Sequence, residues 1–189
     1  YKLLKNYLLK ILKVKSFEIK QLNLTKLINV KVNRNQIGSD RLCNAIAVND
    51  NKNNFIIVDF GTATTFDVVT KDGIYNGGII APGVNLSLEA LYLAAARLPR
   101  ISLKPLTDVN SIIGKNTLNA MESGIFWGYV SMIEGLISKI RIIEEFSDYK
   151  VIATGGLSHI FKNSLSCIDF IKDDLTLIGL VNLYLENKK

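Results

Sequence analysis

Apolar residues recur along this chain with two different spacings, and the changes of spacing mark out its elements. Leu3, Leu4, Tyr7, Leu8, Ile11 and Leu12 follow the i, i+3, i+4 pattern of a single helix face, which predicts a helix over about 2–13 with that face turned toward a core. A strand is expected near 14–21, then a polar loop through Asn33-Arg34-Asn35-Gln36. Helical spacing returns near Asp40, where Leu42, Ala45, Ile46 and Val48 supply the apolar side. Asn49 to Asn54 is polar and reads as a linker, so the chain is expected to divide there into residues 1–53 and 54–189.

Past the linker the period shortens. Phe55-Ile56-Ile57-Val58 opens a set of three predicted strands, about 55–59, 64–70 and 74–81, with Lys71-Asp72-Gly73 as the second turn. Pro82-Gly83 ends the set, and Ser87 is expected to cap a helix running to about Ala96. A loop with Pro99 and Pro105 leads to the longest predicted helix, about Thr117 to Ile140. Its Gly124, Gly128 and Gly135 each cost a helix up to ~1 kcal/mol, so close contact with a neighbour or ligand is expected there. A short strand at 151–153 runs into Thr154-Gly155-Gly156, and a last helix after Asp174 carries Leu175, Ile178, Leu180, Val181 and Tyr184. Hairpin strands, a helix, a strand and a helix together predict a mixed α/β fold with a partly antiparallel sheet.

Composition narrows the function classes. With 189 residues, 48% of them apolar, the chain can bury a large core as one domain or two small ones. No apolar stretch approaches the ~20 residues of a membrane-spanning helix, and no membrane partner is expected. The net charge of +6 is uneven: residues 1–53 carry a balance of +8 and residues 54–189 one of −2. Most of the basic excess lies on the first helix, where a solvated lysine face accounts for it, and no aromatic residues interleave as a nucleic-acid surface would require. Cys43 and Cys167 are far apart without metal-ligand spacing, which suits a reducing cytoplasm and gives them no metal role.

Two aspartates in small-residue loops carry the candidate chemistry. Asp59 ends the apolar strand and opens Asp59-Phe60-Gly61-Thr62-Ala63-Thr64-Thr65; Asp40 stands in Gly38-Ser39-Asp40-Arg41. Gly61 lets backbone approach an anion, and free N–H groups and threonine hydroxyls can bind phosphate oxygens. An acid beside them calls for a cation or a transferable proton. Phosphoryl transfer fits this combination. Taken alone, Asp40 and Arg41 could merely open a helix, Asp59 could cap a turn, and Thr117 could be a helix N-cap. His159, the only histidine, is expected at the surface, and Trp127 and Tyr129 in the core or a dimer contact.

Five ordered motifs then coincide: Asp59 to Thr64, Gly77-Gly78-Ile79-Ile80-Ala81-Pro82-Gly83, Ala96-Arg97-Leu98-Pro99, Ile113 to Thr117 with Ala120 to Gly124, and Thr154-Gly155-Gly156-Leu157. From about residue 38 onward the chain resembles type III pantothenate kinase. The resemblance implies the ribonuclease H-like fold of the actin and sugar-kinase superfamily, with a truncated first domain. It implies ATP-dependent phosphorylation of pantothenate to 4'-phosphopantothenate, the first step of coenzyme A synthesis, by a homodimer using magnesium and a monovalent cation, potassium or ammonium.

Position by position, the resemblance implies that Asp40 accepts the proton of the pantothenate hydroxyl. Gly38, Ser39, Arg41 and Thr117 would line the pantothenate site, with the planar fork of Arg41 suited to the carboxylate. Asp59 corresponds to the monovalent-cation ligand, Gly61 and Thr62 to the ATP phosphate loop, and Gly155 and Gly156 to the glycine pair near adenosine. Two departures stand beside these agreements. The Asp-x-Gly-Asn-Thr loop that opens family members does not precede Tyr1, so the chain alone is expected to be a poor kinase. Lys31 stands where the family often has tyrosine, with Asn33 kept two residues later. A non-catalytic homologue serving as a regulatory accessory protein is the alternative expectation, and a related kinase with another acceptor a third.

Overall fold

A computed structural model describes residues 2–13, 16–95, 98–143 and 148–188. Six strands form one sheet: β1 (Asn29–Val30), β2 (Asn54–Phe60), β3 (Ala63–Val69), β4 (Ile74–Pro82), β5 (Tyr149–Thr154) and β6 (Phe170–Ile171). Their order across it is β1-β4-β3-β2-β5-β6. The β2-β3-β4 meander is antiparallel, whereas β5 lies parallel to β2, β6 parallel to β5, and β1 parallel to β4. The mixed sheet and its three-strand centre are as the residue pattern predicts, and the Asp72-Gly73 turn has Gly73 at φ 68°, a conformation that favours glycine.

Helices are α1 (Lys2–Lys10), α2 (Ser39–Val48), α3 (Val84–Ala94), α4 (Thr117–Ile143), α5 (Ser158–Phe161) and α6 (Leu175–Asn187). They cover both faces of the sheet, which is why β2 reads as an unbroken apolar run instead of alternating. Ile56, Val58 and Phe60 pack with Phe126, Val130 and Ile133 of α4 on one face. Phe55 and Ile57 pack with Leu42, Ala45 and Ile46 of α2 and Leu183 of α6 on the other. Leu24, Ile28 and Ile37 join that second cluster, so the segment before α2 is folded onto the same sheet.

Several expectations are corrected. The apolar residues of the first helical segment do not face a core: Leu3 of α1 is 86% and Ile11 just after it 62% exposed, because none of the described residues folds over them. No strand forms at 16–21; Ile19–Gln21 is a short 3-10 turn, and positions 14 and 15 of that predicted strand lie outside the described residues. Ser87 does not cap α3, which begins at Val84 behind Gly83; its hydroxyl instead meets the Tyr129 hydroxyl at 2.7 Å. Ala96 and Arg97 lie outside the described residues. The close contact expected at Gly124, Gly128 and Gly135 is not made among the described residues, since a Cβ at each would meet open space. On α6, Val181 and Tyr184 are exposed while Leu175, Gly179 and Leu183 make the buried side.

Candidate active site

The carboxyl ends of the parallel strands β2 and β5 and the N-terminus of α2 converge at one rim of the sheet. Asp59 sits on β2 in register with Thr65 of β3 and Thr154 of β5, so the turns that follow these strands, Gly61-Thr62 and Gly155-Gly156, adjoin it. The Gly61 N–H donates to the Ala63 carbonyl at 3.1 Å, which leaves Gly61 and Thr62 exposed at the tip of a tight turn. Gly155 adopts φ +89°, and a Cβ there would lie 2.6 Å from Asp59 Oδ1. Only glycine lets the loop after β5 lie against that carboxylate.

Asp59 is half-buried. Its Oδ2 accepts from Asn44 Nδ2 at 2.9 Å, and the Asn44 oxygen accepts from the Thr176 hydroxyl of α6 at 2.7 Å. Burial pushes the Asp59 carboxyl above the ordinary aspartate range; the Asn44 donor opposes this, and the charges of Asp40 and Asp67 push it further up. Asp40 is exposed in the first turn of α2 behind Gly38, with its Oδ1 accepting from the Arg41 N–H at 2.9 Å.

Arg41 is held from the sheet. Its Nε and Nη2 donate to Asp67 Oδ1 of β3 at 2.9 and 2.6 Å, and the Tyr75 hydroxyl donates to the same oxygen at 2.6 Å. Asp67 is fully buried, and burial pushes its carboxyl up against the downward pull of Arg41, Tyr75 and Thr65. Burial likewise pushes the Tyr75 hydroxyl up, with the Asp67 charge adding to it. Among the described residues the Nη1 group of Arg41 has no hydrogen-bond partner, so the guanidinium is oriented by Asp67 through Nε and Nη2.

Residue by residue, Gly38, Ser39, Asp40 and Arg41 form the start of α2, and Asp59, Gly61, Thr62, Gly155 and Gly156 form the facing rim. Thr117 stands apart: among the described residues no hydrogen bond joins it to this cleft. It opens α4 without capping it, since the Asn119 N–H donates to Asn116 Oδ1 at 2.9 Å. Lys31 follows β1 and is exposed, and the Asn33 side chain caps the next 3-10 turn. His159 is exposed, with Nε2 2.9 Å from Asp173. Asn44, Asp67, Tyr75 and Thr176 escaped sequence reasoning. The available signal was a polar residue amid the apolar side of α2 and a charge between Phe66 and Val68 in a strand.

Asp59 offers one carboxylate oxygen beside backbone turns, and no lysine or arginine among the described residues pairs with it. No group of three His, Cys, Asp or Glu able to hold a metal ion occurs among the described residues. Cys43, on α2, is not a reactive thiol, because burial raises it to about 11.

The sequence profile of type III pantothenate kinases matches residues 1–139. The chain belongs to the type III pantothenate kinase family. It is 50% identical over 172 residues to the type III pantothenate kinase of Pelagibacter ubique, an alignment covering 91% of this chain and 67% of that protein. The Paramagnetospirillum magneticum enzyme is 52% identical over 155 residues, 80% of this chain and 57% of the relative. A Cereibacter sphaeroides enzyme is 50% identical over 153 residues, with 80% and 58% covered. The chain thus spans 57 to 67% of the length of these three relatives. Family members have the actin-like ATPase fold. A crystal structure from Campylobacter jejuni, assigned provisionally to a Baf family of transcriptional activators, aligns at TM-score 0.59 and 21% identity over 88% of this chain and 73% of that one. At that identity the likeness concerns the fold.

Proposed function

We propose that this type III pantothenate kinase family chain carries the substrate and cation sites of an ATP-dependent kinase that converts pantothenate to 4'-phosphopantothenate, the first step of coenzyme A synthesis. The observation that carries the reading is the pair Asp40 and Asp59, two carboxylates on one rim, one exposed at a helix start and one half-buried among glycine turns. Asp40 aligns the pantothenate hydroxyl and takes its proton as the oxygen bonds to the γ-phosphorus of ATP and ADP departs. Gly38, Ser39 and Arg41 bind the rest of pantothenate, with the Nη1 edge of Arg41 toward its carboxylate and Thr117 contributing a hydroxyl. Gly61 and Thr62 receive the phosphates, and Gly155 and Gly156 leave room for the adenine.

Asp59 holds a potassium or ammonium ion, which neutralises phosphate charge when bound. Magnesium enters with the nucleotide, because no cluster of three His, Cys, Asp or Glu able to hold it occurs among the described residues. Residues 1–53 belong to the first ribonuclease H-like unit and residues 54–189 to the second, a division of ancestry and not of packing, since residues 24–48 close one sheet face. The enzyme works in the cytoplasm, as a homodimer through the open face of α4 where Gly124, Gly128 and Gly135 leave room for another helix. Neither nucleic acid nor membrane has a part in this reading.

The test is pantothenate-dependent ADP release, measured on the 189-residue chain and on the same chain joined behind the first third of the Pelagibacter ubique relative. The joined protein should turn over, and Asp40→Asn should lower kcat by about 10²-fold or more. Turnover with other acceptors only would assign a different substrate. No turnover together with no ATP binding would favour a regulatory accessory role. Sedimentation as a monomer at high concentration would remove the dimer.

A further inference from the structure

Asn44 is fully buried on α2, with a polar neighbour at each end of its amide. The carboxylate of Asp59 can only accept, so the amide must present its NH2 to Oδ2 and leave its oxygen to the Thr176 hydroxyl. Thr176 lies in the first turn of α6, 132 residues away in the chain. The separation of the two helices is fixed one turn further on. Gly179 of α6 packs so closely on the Cys43 backbone of α2 that a Cβ would overlap the carbonyl. The relay Thr176-Asn44-Asp59 therefore runs between elements that cannot slide, and it holds Oδ2 while Oδ1 faces the turns at Gly155 and Gly61.

An apolar residue would fill this space without the cost of burying an amide that loses its partners if either neighbour moves. The arrangement is the one that orients a metal-binding carboxylate from behind. We infer that Asn44 and Thr176 are positioning residues for a monovalent cation at Asp59, so that the C-terminal helix sets the geometry of that site. The inference rests on the cation role proposed above for Asp59.

Thallium(I), a spectroscopically visible substitute for potassium, is the probe. It is titrated into the full chain and followed by thallium NMR, with potassium as competitor. The wild type should bind it and release it to potassium, and Asp59→Asn should not bind. Thr176→Val should weaken binding about tenfold, Thr176→Ser should restore it, and Asn44→Leu should weaken it by about a hundredfold. Urea unfolding in tetramethylammonium chloride measures each variant's stability without a cation that fits. A purely structural relay would lower that stability and leave thallium affinity unchanged in the folded variants.

If Asp59→Asn loses thallium while Thr176→Val binds it as tightly as wild type, the inference is overturned and the cation reading stands. If Asp59→Asn binds as wild type does, or the wild type binds none, the cation reading falls and the inference with it. Should Asn44→Leu fail to fold, the Thr176→Val and Thr176→Ser pair decides.

Discussion

Single side chains at the rim divide into those that react and those that hold. Asp67 holds: it is buried without solvent and meets a guanidinium whose side chain is 12% exposed. Asp67→Ala leaves that charge uncompensated, and a loss of about 3–5 kcal/mol in urea unfolding is expected; a loss below about 1 kcal/mol would mean water reaches Arg41. Asp59 carries a pH dependence of definite sign. An unfolded aspartate titrates near ~3.9, and the folded group lies higher through burial. Below the unfolded value the carboxyl is protonated in both states. As pH rises through the folded value the ionised form is disfavoured by burial, and that contribution to stability is lost. Asp59→Asn should therefore be more stable than wild type at neutral pH in tetramethylammonium buffer, with the gap closing below about pH 4. Equal stability at neutral pH would mean that the buried carboxylate ionises without cost.

At the scale of elements, α2 is the piece on which the site depends. It presents Asp40 and Arg41 at its start and Asn44 one turn later, and it is tied to β2, β3 and α6 by those side chains. Gly179→Ala drives a methyl group into the Cys43 backbone and must push α6 from α2, so it is expected to destabilise by about 1–3 kcal/mol or more in denaturant unfolding. Cys43 reports on the same contact. Buried, with its thiol raised to about 11, it should resist iodoacetamide at pH 8 in the wild type and react on unfolding. Native-state alkylation in Gly179→Ala would register the separation directly. The apolar side of α2 was legible because Leu42, Ala45, Ile46 and Val48 keep helical spacing. The link of Asn44 to Asp59 and the anchoring of Arg41 by Asp67 were not, because those partners stand 15 and 26 positions away.

The whole molecule buries its sheet well and its N-terminal helix poorly. The exposed Leu3 and Leu4 of α1 and Ile11 just after it show that this helix adds little to the fold, so removing residues 1–13 should leave the urea midpoint unchanged within error. A clear fall would mean that α1 packs against something in solution, another copy included. The open faces of α4 and α6 are likewise amphipathic elements whose apolar residues exceed what one chain covers. That is why helical periodicity predicted core contacts on α1 that the chain itself does not make: spacing reports which face is apolar, not what lies against it.

Local pattern determined the central three-strand meander, the strand after it, the principal helices and the two acidic motifs of this protein, because hydrophobic period, turn chemistry and glycine placement act over a few neighbouring residues. The family followed from the order of motifs along the chain. Only the tertiary structure decided that α2 and α6 touch backbone to backbone, that Arg41 is pinned by Asp67, and that Thr176 reaches the cleft through Asn44. Those contacts join residues up to 132 positions apart, and no periodicity in a sequence encodes which distant side chains a folded sheet and its helices bring together.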